Sequence, residues 1–193
     1  MTSRESPLRE ALLRQRVLGI VREASEDAAV ASASLALTKG LSVIEVSATT
    51  LGWDAAIRRL RERFPDRRLG VGTVLDAAIA ERALEAGADF LVTPSIPTDL
   101  RAILGLGAEV LPGVFSPTDV GRALEFGLGI VKLFPAAALG VGYLGALAGP
   151  FPGVDVVAVG GIGADTAGDW LAAGALAVGL GSNLADWTPT GPT

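Results

Sequence analysis

Eight short apolar runs set the strongest limit on how this chain can fold. They cover residues 17–21, 42–47, 69–74, 90–94, 109–114, 130–134, 154–159 and 175–179. Within each run, apolar residues follow one another with few polar interruptions, which is typical of strands buried on both faces of a parallel sheet. The runs begin about 20–25 residues apart, a spacing that leaves room for one helix between consecutive strands.

The segments between the runs have helical character. Residues 54–64 and 76–86 read as amphipathic helices. A repeated transition, from a helix end through glycine into a strand, supports the alternation, because glycine supplies the left-handed cap that ends a helix. It occurs at residues 85–92, 125–131, 172–178 and, more loosely, 39–44. Eight strands alternating with helices predict a (βα)8 barrel (a TIM barrel), and an open doubly wound sheet is the main alternative.

The whole chain, residues 1–193, is expected to form this one barrel domain. Residues 1–16 contain an N-terminal helix, whose amphipathic part at 8–16 can cover the barrel floor. Residues 184–193 form an irregular tail with no room for an eighth outer helix. The barrel is therefore minimal, and the missing helix leaves apolar surface between the last and first strands. We expect residues 8–16 or a neighbouring subunit to lie near that seam.

Composition removes several classes of function. The chain has no histidine and no cysteine, which excludes Ser-His-Asp hydrolysis, His-ligated zinc, cysteine nucleophiles and thiolate metal sites. A net charge of −5 without a basic cluster argues against nucleic acid or an anionic membrane as a partner. Neither a signal peptide nor a membrane-spanning apolar run is evident. We expect a soluble, cytoplasmic protein.

Lys132 is the first candidate for chemistry. It lies within the predicted strand 130–134 between apolar neighbours, and only one other lysine, Lys39, occurs in the chain. Lysine is rarely buried without a purpose, and desolvation favours the neutral amine that attacks carbonyl groups. The alternative is an ammonium group that reaches solvent or an ion pair. Because the other 14 basic residues are arginines, we favour a Schiff-base lysine.

Glu45 is the second candidate, since it interrupts the apolar predicted strand 42–47. A buried carboxylate needs a partner, which in a chain without histidine means lysine or arginine. If the second and sixth strands point both side chains into the barrel, Glu45 and Lys132 share one pocket. An amine nucleophile and a proton-moving carboxylate are the minimum for cleaving a β-hydroxy ketone through an enamine. A structural ion pair is the alternative.

Glycines after the seventh and eighth predicted strands indicate an anion site. Gly160 and Gly161 follow the seventh strand, and residues 179–183, which include Ser182, follow the eighth. TIM barrels commonly bind phosphate here through exposed backbone N–H groups. Arg22 follows the first strand, beside the eighth in a closed barrel, and can add a charge-assisted hydrogen bond. Ordinary turns and a solvated surface arginine are the alternatives.

Several motifs, in order, resemble the 2-keto-3-deoxy-6-phosphogluconate (KDPG) aldolase family, with its phosphogalactonate (KDPGal) and 4-hydroxy-2-oxoglutarate relatives. The resemblance runs from about residue 17 to residue 183. The most specific match is Val-Lys-Leu-Phe-Pro at 131–135, similar to the family segment that carries the Schiff-base lysine. The others are Ile-Glu-Val at 44–46, Gly-Val-Gly-Thr-Val at 70–74, Val-Thr-Pro at 92–94, Leu-Pro-Gly-Val at 111–114 and Gly-Gly-Ile at 160–162.

The resemblance implies a class I aldolase that releases pyruvate and glyceraldehyde 3-phosphate from a 2-keto-3-deoxy-6-phospho sugar acid. Lys132 would form an imine with C2, and Glu45 would move protons through a water. The predicted substrate-binding residues are Arg22, Thr73 and Pro94, Phe134 from the lysine segment, and Gly160, Gly161 and Ser182 for the phosphate. The resemblance also implies a (βα)8 homotrimer that needs no metal and no other cofactor.

Three positions depart from the common family pattern. Thr49 stands where many members have an arginine that helps bind a carboxylate, and Arg22 matches members that carry an arginine after the first strand instead. Ala137 stands where glutamate often follows Phe-Pro. Val159 before the glycine pair resembles galactonate-type members, whereas gluconate-type members usually have threonine. The C4 configuration of the substrate therefore stays open.

Two other functions also stay open. A phosphate-binding barrel enzyme of another kind, such as a thiamine phosphate synthase relative, would explain the glycines and leave Lys132 unexplained. An inactive or repurposed barrel scaffold would fit the short C-terminus, Thr49 and Ala137. A scaffold has little reason to retain both Lys132 and Glu45, however.

Overall fold

The computed structural model describes residues 6–182 together with residues 184, 187 and 188. The helices are α1 (Pro7–Gln15), α2 (Glu26–Thr38), α3 (Trp53–Arg63), α4 (Ala77–Glu85), α5 (Leu100–Gly105), α6 (Pro117–Glu125), α7 (Ala136–Leu139), α8 (Gly142–Ala148) and α9 (Ala167–Ala172). The strands are β1 (Val17–Val21), β2 (Val43–Ser47), β3 (Arg68–Gly72), β4 (Phe90–Val92), β5 (Glu109–Leu111), β6 (Gly113–Val114), β7 (Ile130–Leu133), β8 (Asp155–Val159) and β9 (Ala177–Leu180).

The strands form one parallel sheet that closes into a barrel. Its order is β5-β4-β3-β2-β1-β9-β8-β7-β6, so the two outermost strands, β5 and β6, are separated in the chain only by Pro112. The sequence predicts one strand over 109–114, and the structure divides it because proline has no N–H to donate within a sheet. Since β5 pairs with β4 and β6 pairs with β7, the two halves act as the fifth of eight strands. The (βα)8 prediction is confirmed, and the open doubly wound sheet is wrong.

Alternate residues of each strand face the barrel interior and the surrounding helices. On β2, Val43 belongs to the interior cluster and Ile44 to the layer between strands and helices. Because side chains alternate along a strand, Glu45 faces the interior together with Val43. The same alternation on β7 puts Lys132 on the interior face with Ile130. As the second and sixth of eight strands, β2 and β7 bring these two side chains in from opposite walls.

The four glycines of the sequence repeat have the backbone conformation that the repeat predicts. Gly40, Gly87, Gly127 and Gly174 have φ angles of 108°, 98°, 76° and 105°. They lie just beyond the ends of α2, α4, α6 and α9. An L-residue with a side chain rarely adopts such a φ angle, so glycine lets the chain turn from each helix towards the next strand.

Helix α1 closes the floor of the barrel, at the N-terminal ends of the strands. Its side chains Leu8 and Leu12 are fully buried in the interior cluster. Arg9 forms an ion pair of 2.5 Å with Asp155 at the start of β8, and the Leu8 N–H donates to the Glu109 carboxylate at the start of β5. The helix therefore plugs the end opposite the candidate site instead of lying over the outer seam.

The outer seam lies between β9 and β1, which pair directly. Leu184 and Trp187 are buried in the outer apolar layer, and a Cβ on Gly19 of β1 would lie 3.2 Å from Leu184. The other residues of the expected tail over 184–193, apart from residue 188, fall outside the described residues. Within the described part of the chain, β9 is followed by no α-helix, and no helix is long and apolar enough to cross a membrane.

Candidate active site

A cavity of about 480 Å³ opens at the C-terminal ends of the strands. The sequence-predicted site residues that line it are Arg22, Glu45, Thr73, Pro94, Lys132, Phe134, Gly160, Gly161 and Ser182. The fold thus brings together predicted site residues from seven of the eight barrel positions, or from the loops directly after them. Ile20, Val159, Ile162 and the glycines at 163, 179 and 181 complete the wall.

Lys132 projects into this cavity from the middle of β7. Only 6% of the residue is exposed, and its backbone pairs with Gly113 on one side and Val157 on the other. Its ammonium nitrogen lies 5.1 Å from the centroid of the Phe134 ring. Gly113 also lets the segment after β4 approach β6 closely, because a Cβ on Gly113 would lie 2.3 Å from the Pro94 backbone. The amine therefore lies near the face of an aromatic ring, in a cavity that Pro94 also lines.

Glu45 enters from the opposite wall, with 2% of the residue exposed. Its Oε2 atom is buried without a hydrogen-bond partner. Burial raises the pKa of the Glu45 carboxyl above its ordinary value, and the charges of Lys132 and Arg22 partly oppose that rise. Among the described ion pairs, none of 4.0 Å or less joins Glu45 to Lys132. A tight structural ion pair, the alternative interpretation, is not formed.

Gly72 makes room for the Glu45 carboxylate. A Cβ at Gly72 would lie 2.5 Å from Glu45 Oε1 and 2.7 Å from its Cδ, closer than real Cβ contacts come. The segment Gly-Val-Gly-Thr-Val at 70–74 is visible in the sequence, but the need for glycine arises from the neighbouring strand. Sequence reasoning therefore missed Gly72 as a site residue.

A cluster of polar side chains lies at the ends of β2 and β3. Arg22 donates towards the hydroxyls of Thr49 and Thr73, each at 3.5 Å, and Ser47 Oγ lies within hydrogen-bond distance of the same two hydroxyls. Thr73 has a φ angle of 58°, which is rare for a β-branched residue. Sequence reasoning missed Ser47 and treated Thr49 only as a departure from a pattern, because their contacts cross between strands.

Glycine backbone forms the other end of the cavity. Gly160 and Gly161 have φ angles of 98° and 74°, and a Cβ on Gly161 would lie 2.7 Å from that of Ala137. Only a chain without side chains at these positions leaves the backbone after β8 open to a ligand. Together with Ser182 after β9, this end of the cavity offers uncharged hydrogen-bond donors, namely backbone N–H groups and a hydroxyl. Among the described residues, no cluster of three or more carboxylates could hold a metal ion.

Residues 8–189 match the model of one protein family, described as KDPG and KHG aldolase. This chain belongs to that family. A 2-dehydro-3-deoxy-phosphogluconate aldolase of Treponema pallidum is 39% identical over 165 residues, covering 84% of this chain and 79% of the relative. A 2-dehydro-3-deoxy-6-phosphogalactonate aldolase of Escherichia coli K12 is 32% identical over 171 residues, covering 87% and 83%.

A solved KDPG aldolase has the same fold. The enzyme of Legionella pneumophila, with pyruvate captured at low pH as a covalent carbinolamine intermediate, superposes with a TM-score of 0.85 at 28% identity. The alignment covers 92% of this chain and 87% of that chain. Membership of the KDPG and KHG aldolase family makes this chain a relative of carbon–carbon lyases, and it disfavours the thiamine phosphate synthase alternative.

Proposed function

We propose that this protein is a class I aldolase that cleaves a 2-keto-3-deoxy-6-phospho sugar acid, KDPG or KDPGal, to pyruvate and glyceraldehyde 3-phosphate. One observation carries the proposal. A lysine and a glutamate, each nearly fully buried, line a single cavity from opposite walls. Such a pair supplies the nucleophile and the proton carrier of imine-based cleavage.

The reaction begins when the Lys132 amine adds to C2 of the keto acid. The resulting carbinolamine loses water to give an iminium ion. Glu45 then takes the proton of the C4 hydroxyl through an intervening water, as the resemblance to the aldolase family implies. The C3–C4 bond breaks, its electron pair moves towards the iminium nitrogen as an enamine, and the aldehyde leaves. Protonation at C3 and hydrolysis release pyruvate and restore the lysine.

The two ends of the cavity suit the two anionic ends of this substrate. Arg22 and Thr73 both line the cavity and lie 3.5 Å apart, so we assign them to the carboxylate next to C2. The sequence had placed Arg22 at the phosphate glycines instead. Gly160, Gly161 and Ser182 supply uncharged donors for a phosphate at C6, as loops after the last strands of TIM barrels often do. Pro94 and Phe134 provide apolar walls between them. The iminium nitrogen accepts the electron pair, so the proposed cleavage needs no metal and no other cofactor.

A homotrimer and a cytoplasmic location belong to the same proposal. Leu51 and Leu75, on the loops after β2 and β3, are 77% and 57% exposed, and neighbouring exposed apolar side chains are typical of an interface. A phosphorylated sugar acid carries a carboxylate and a phosphate monoester, which together bring its charge to between about −2.5 and −3 at pH 7, and such an anion does not cross membranes freely. An enzyme that uses it therefore works in the compartment where it is made. The expected ligands remain small molecules, with no nucleic acid or membrane among them.

Borohydride trapping with pyruvate tests the proposed chemistry. Reduction of the imine should leave a stable adduct of one reduced pyruvate on Lys132, identified by mass spectrometry of the digested protein. Lys132→Arg should give no adduct, whereas Lys39→Arg, which changes the other lysine of the chain, should give the same adduct as the unaltered protein. No adduct on any lysine would end the hypothesis.

Retro-aldol turnover separates an enzyme from a scaffold. Pyruvate release from KDPG and KDPGal can be followed by coupling to lactate dehydrogenase, and the two substrates report the C4 preference. Turnover that Lys132→Arg abolishes is expected. If the unaltered protein and Lys132→Arg are equally inactive on both substrates, the repurposed-scaffold alternative is favoured.

A further inference from the structure

Four side chains form a connected polar group at the edge of the cavity. Ser47 Oγ lies 2.8 Å from Thr49 Oγ1 and 3.0 Å from Thr73 Oγ1. Arg22 donates to the same two threonine hydroxyls at 3.5 Å. We call Thr49, Ser47 and Thr73, in this order, the hydroxyl chain. Only its last member and Arg22 line the cavity.

The position of the hydroxyl chain follows from strand pairing. Ser47 ends β2 and pairs in register with Gly72, which ends β3, so the next residue, Thr73, is within reach of the serine hydroxyl. The φ angle of 58° at Thr73 is rare for a β-branched residue, and the Thr73 hydroxyl lies 3.0 Å from that of Ser47. An unusual backbone conformation at a cavity wall points to a functional constraint.

Burial of Ser47 restricts where its proton can go. The residue is completely buried, and its side-chain contacts are the two threonine hydroxyls and a donated Thr49 N–H at 3.4 Å. The Ser47 proton must therefore be donated to Thr49 or to Thr73. The three hydroxyl groups have three protons, but only two hydrogen bonds join them. One hydroxyl proton is therefore left to be donated to a group outside the hydroxyl chain.

An anion in the cavity selects the direction of donation. A carboxylate beside Thr73 accepts a hydrogen bond from the Thr73 hydroxyl. Ser47 then donates a hydrogen bond to Thr73, and Thr49 donates one to Ser47. Hydrogen bonds aligned in this way polarise and strengthen one another. The bonds from Arg22 are long, so its remaining donors are free to turn to the same carboxylate. Glycines 160 and 161, by contrast, lie after β8, away from the hydroxyl chain.

We propose that Ser47 and Thr49 are positioning residues for the carboxylate of the keto acid. They fix the Thr73 hydroxyl as a donor and hold the Arg22 guanidinium beside it, although neither of them lines the cavity. This inference rests on the proposed aldolase function and assigns Arg22 to the keto-acid end of the substrate. It identifies two residues, one of them buried, on which recognition of pyruvate depends without direct contact.

The test compares a ketone that has a carboxylate with one that lacks it. Borohydride trapping on Lys132 is measured as a function of pyruvate concentration and, separately, of acetone concentration. In Ser47→Ala and Thr49→Val, the pyruvate concentration for half-maximal trapping should rise about 10-fold, the size expected from one charge-assisted hydrogen bond. The second-order rate of acetone trapping should stay within about twofold of the unaltered protein, because Lys132 is not disturbed.

Two further variants distinguish positioning from general damage. Thr49→Ser keeps the hydroxyl and should restore pyruvate trapping to within about threefold of the unaltered protein. Ser34→Ala removes another buried hydroxyl, one that accepts from Arg63, and should leave the pyruvate response unchanged. Thr49 is exposed, so Thr49→Val tests the inference even if Ser47→Ala does not fold.

The possible failures are distinguishable. If the unaltered protein forms no pyruvate adduct, the aldolase proposal fails and this inference fails with it. If the adduct forms normally but Thr49→Val and Ser47→Ala respond to pyruvate like the unaltered protein, only the inference is overturned. An equal loss of trapping with pyruvate and with acetone also overturns it, because the residues would then support Lys132 and not the carboxylate.

Discussion

Lys132 and Glu45 are ionisable residues in a barrel interior that is otherwise mainly apolar. Desolvation of both groups costs free energy, and no direct ion pair between them offsets it. A fold that retains two such groups without pairing them is less stable than one with apolar residues at the same positions. Their arrangement is therefore better explained by reactivity than by stability.

Glu45→Gln separates proton transfer from imine formation. The substitution keeps the shape of the side chain and leaves Lys132 intact, so the pyruvate adduct should still form. Because a positioned acid–base group typically contributes about 10²–10⁴-fold, kcat for cleavage should fall by a factor in that range. Turnover of KDPG or KDPGal at the unaltered rate would mean that Glu45 is structural and that the mechanism is wrong.

The raised pKa of Glu45 also predicts how stability depends on pH. Since burial favours the protonated carboxyl, the folded state binds this proton more tightly than the unfolded state. This proton therefore contributes fully to the free energy of unfolding below the pH at which an exposed glutamate titrates, about 4.3. The contribution is lost as the pH rises through the pKa that Glu45 has in the folded state. In urea unfolding, the unaltered protein should lose stability relative to Glu45→Gln as the pH rises. A constant difference would contradict the raised pKa.

Gly72→Ala should disturb Glu45 without touching Lys132. The added methyl group would lie 2.5 Å from Glu45 Oε1, so the carboxylate must move. Misplacement of a catalytic group by about 1 Å can cost about 10²-fold in rate, and kcat should fall by at least about 10-fold while imine trapping persists. Gly121→Ala, in α6 and with open space around it, is the control. Equal activity in both variants would remove Gly72 from the site.

At the scale of elements, the floor helix and the strand break at Pro112 complete the barrel in different ways. Helix α1 fills the interior from below, and its anchors, Arg9 to Asp155 and Leu8 to Glu109, join residues far apart in the chain. Pro112 interrupts the fifth strand where its neighbours otherwise pair in parallel. The cavity above therefore rests on a closed floor and an almost continuous wall.

Leu12→Ala and Leu13→Ala form a matched pair that tests the floor helix. Leu12 is fully buried, whereas the adjacent Leu13 is 45% exposed. Removing the buried side chain should lower the free energy of unfolding by about 2–5 kcal/mol, and removing the exposed one by no more than about 0.5 kcal/mol. Urea unfolding measures both. Similar small losses in the two variants would show that α1 contributes little to the core.

Local periodicity and chain order were enough to predict the strands, the alternating helices and the shared cavity of Lys132 and Glu45. The break at Pro112 could also have been predicted from the sequence, because it depends only on the presence of proline within the strand. Gly72 and Ser47 were not predictable in the same way. Their roles depend on the register between β2 and β3 and on the left-handed backbone of Thr73, which no single segment of sequence specifies.

At the scale of the whole molecule, exposed apolar side chains gather at the catalytic end. Leu51, Leu75 and Phe115 follow β2, β3 and β6 respectively and are all exposed. Because β2 and β3 are paired neighbours, Leu51 and Leu75 lie on adjacent loops of the same rim. An interface at this rim would lie beside the hydroxyl chain and would connect assembly to the keto-acid end of the cavity.

Light scattering tests the expected assembly. At micromolar concentration the protein should show about three times its chain mass of 19.6 kDa. The double variant Leu51→Glu, Leu75→Glu introduces charges that cannot be buried in an apolar interface without a large penalty, so its mass should fall towards that of one chain. Leu124→Glu, which alters an exposed leucine on α6, should leave the mass unchanged. A single-chain mass for the unaltered protein would contradict the assembly, and an unchanged mass in the double variant would exclude this rim as its interface.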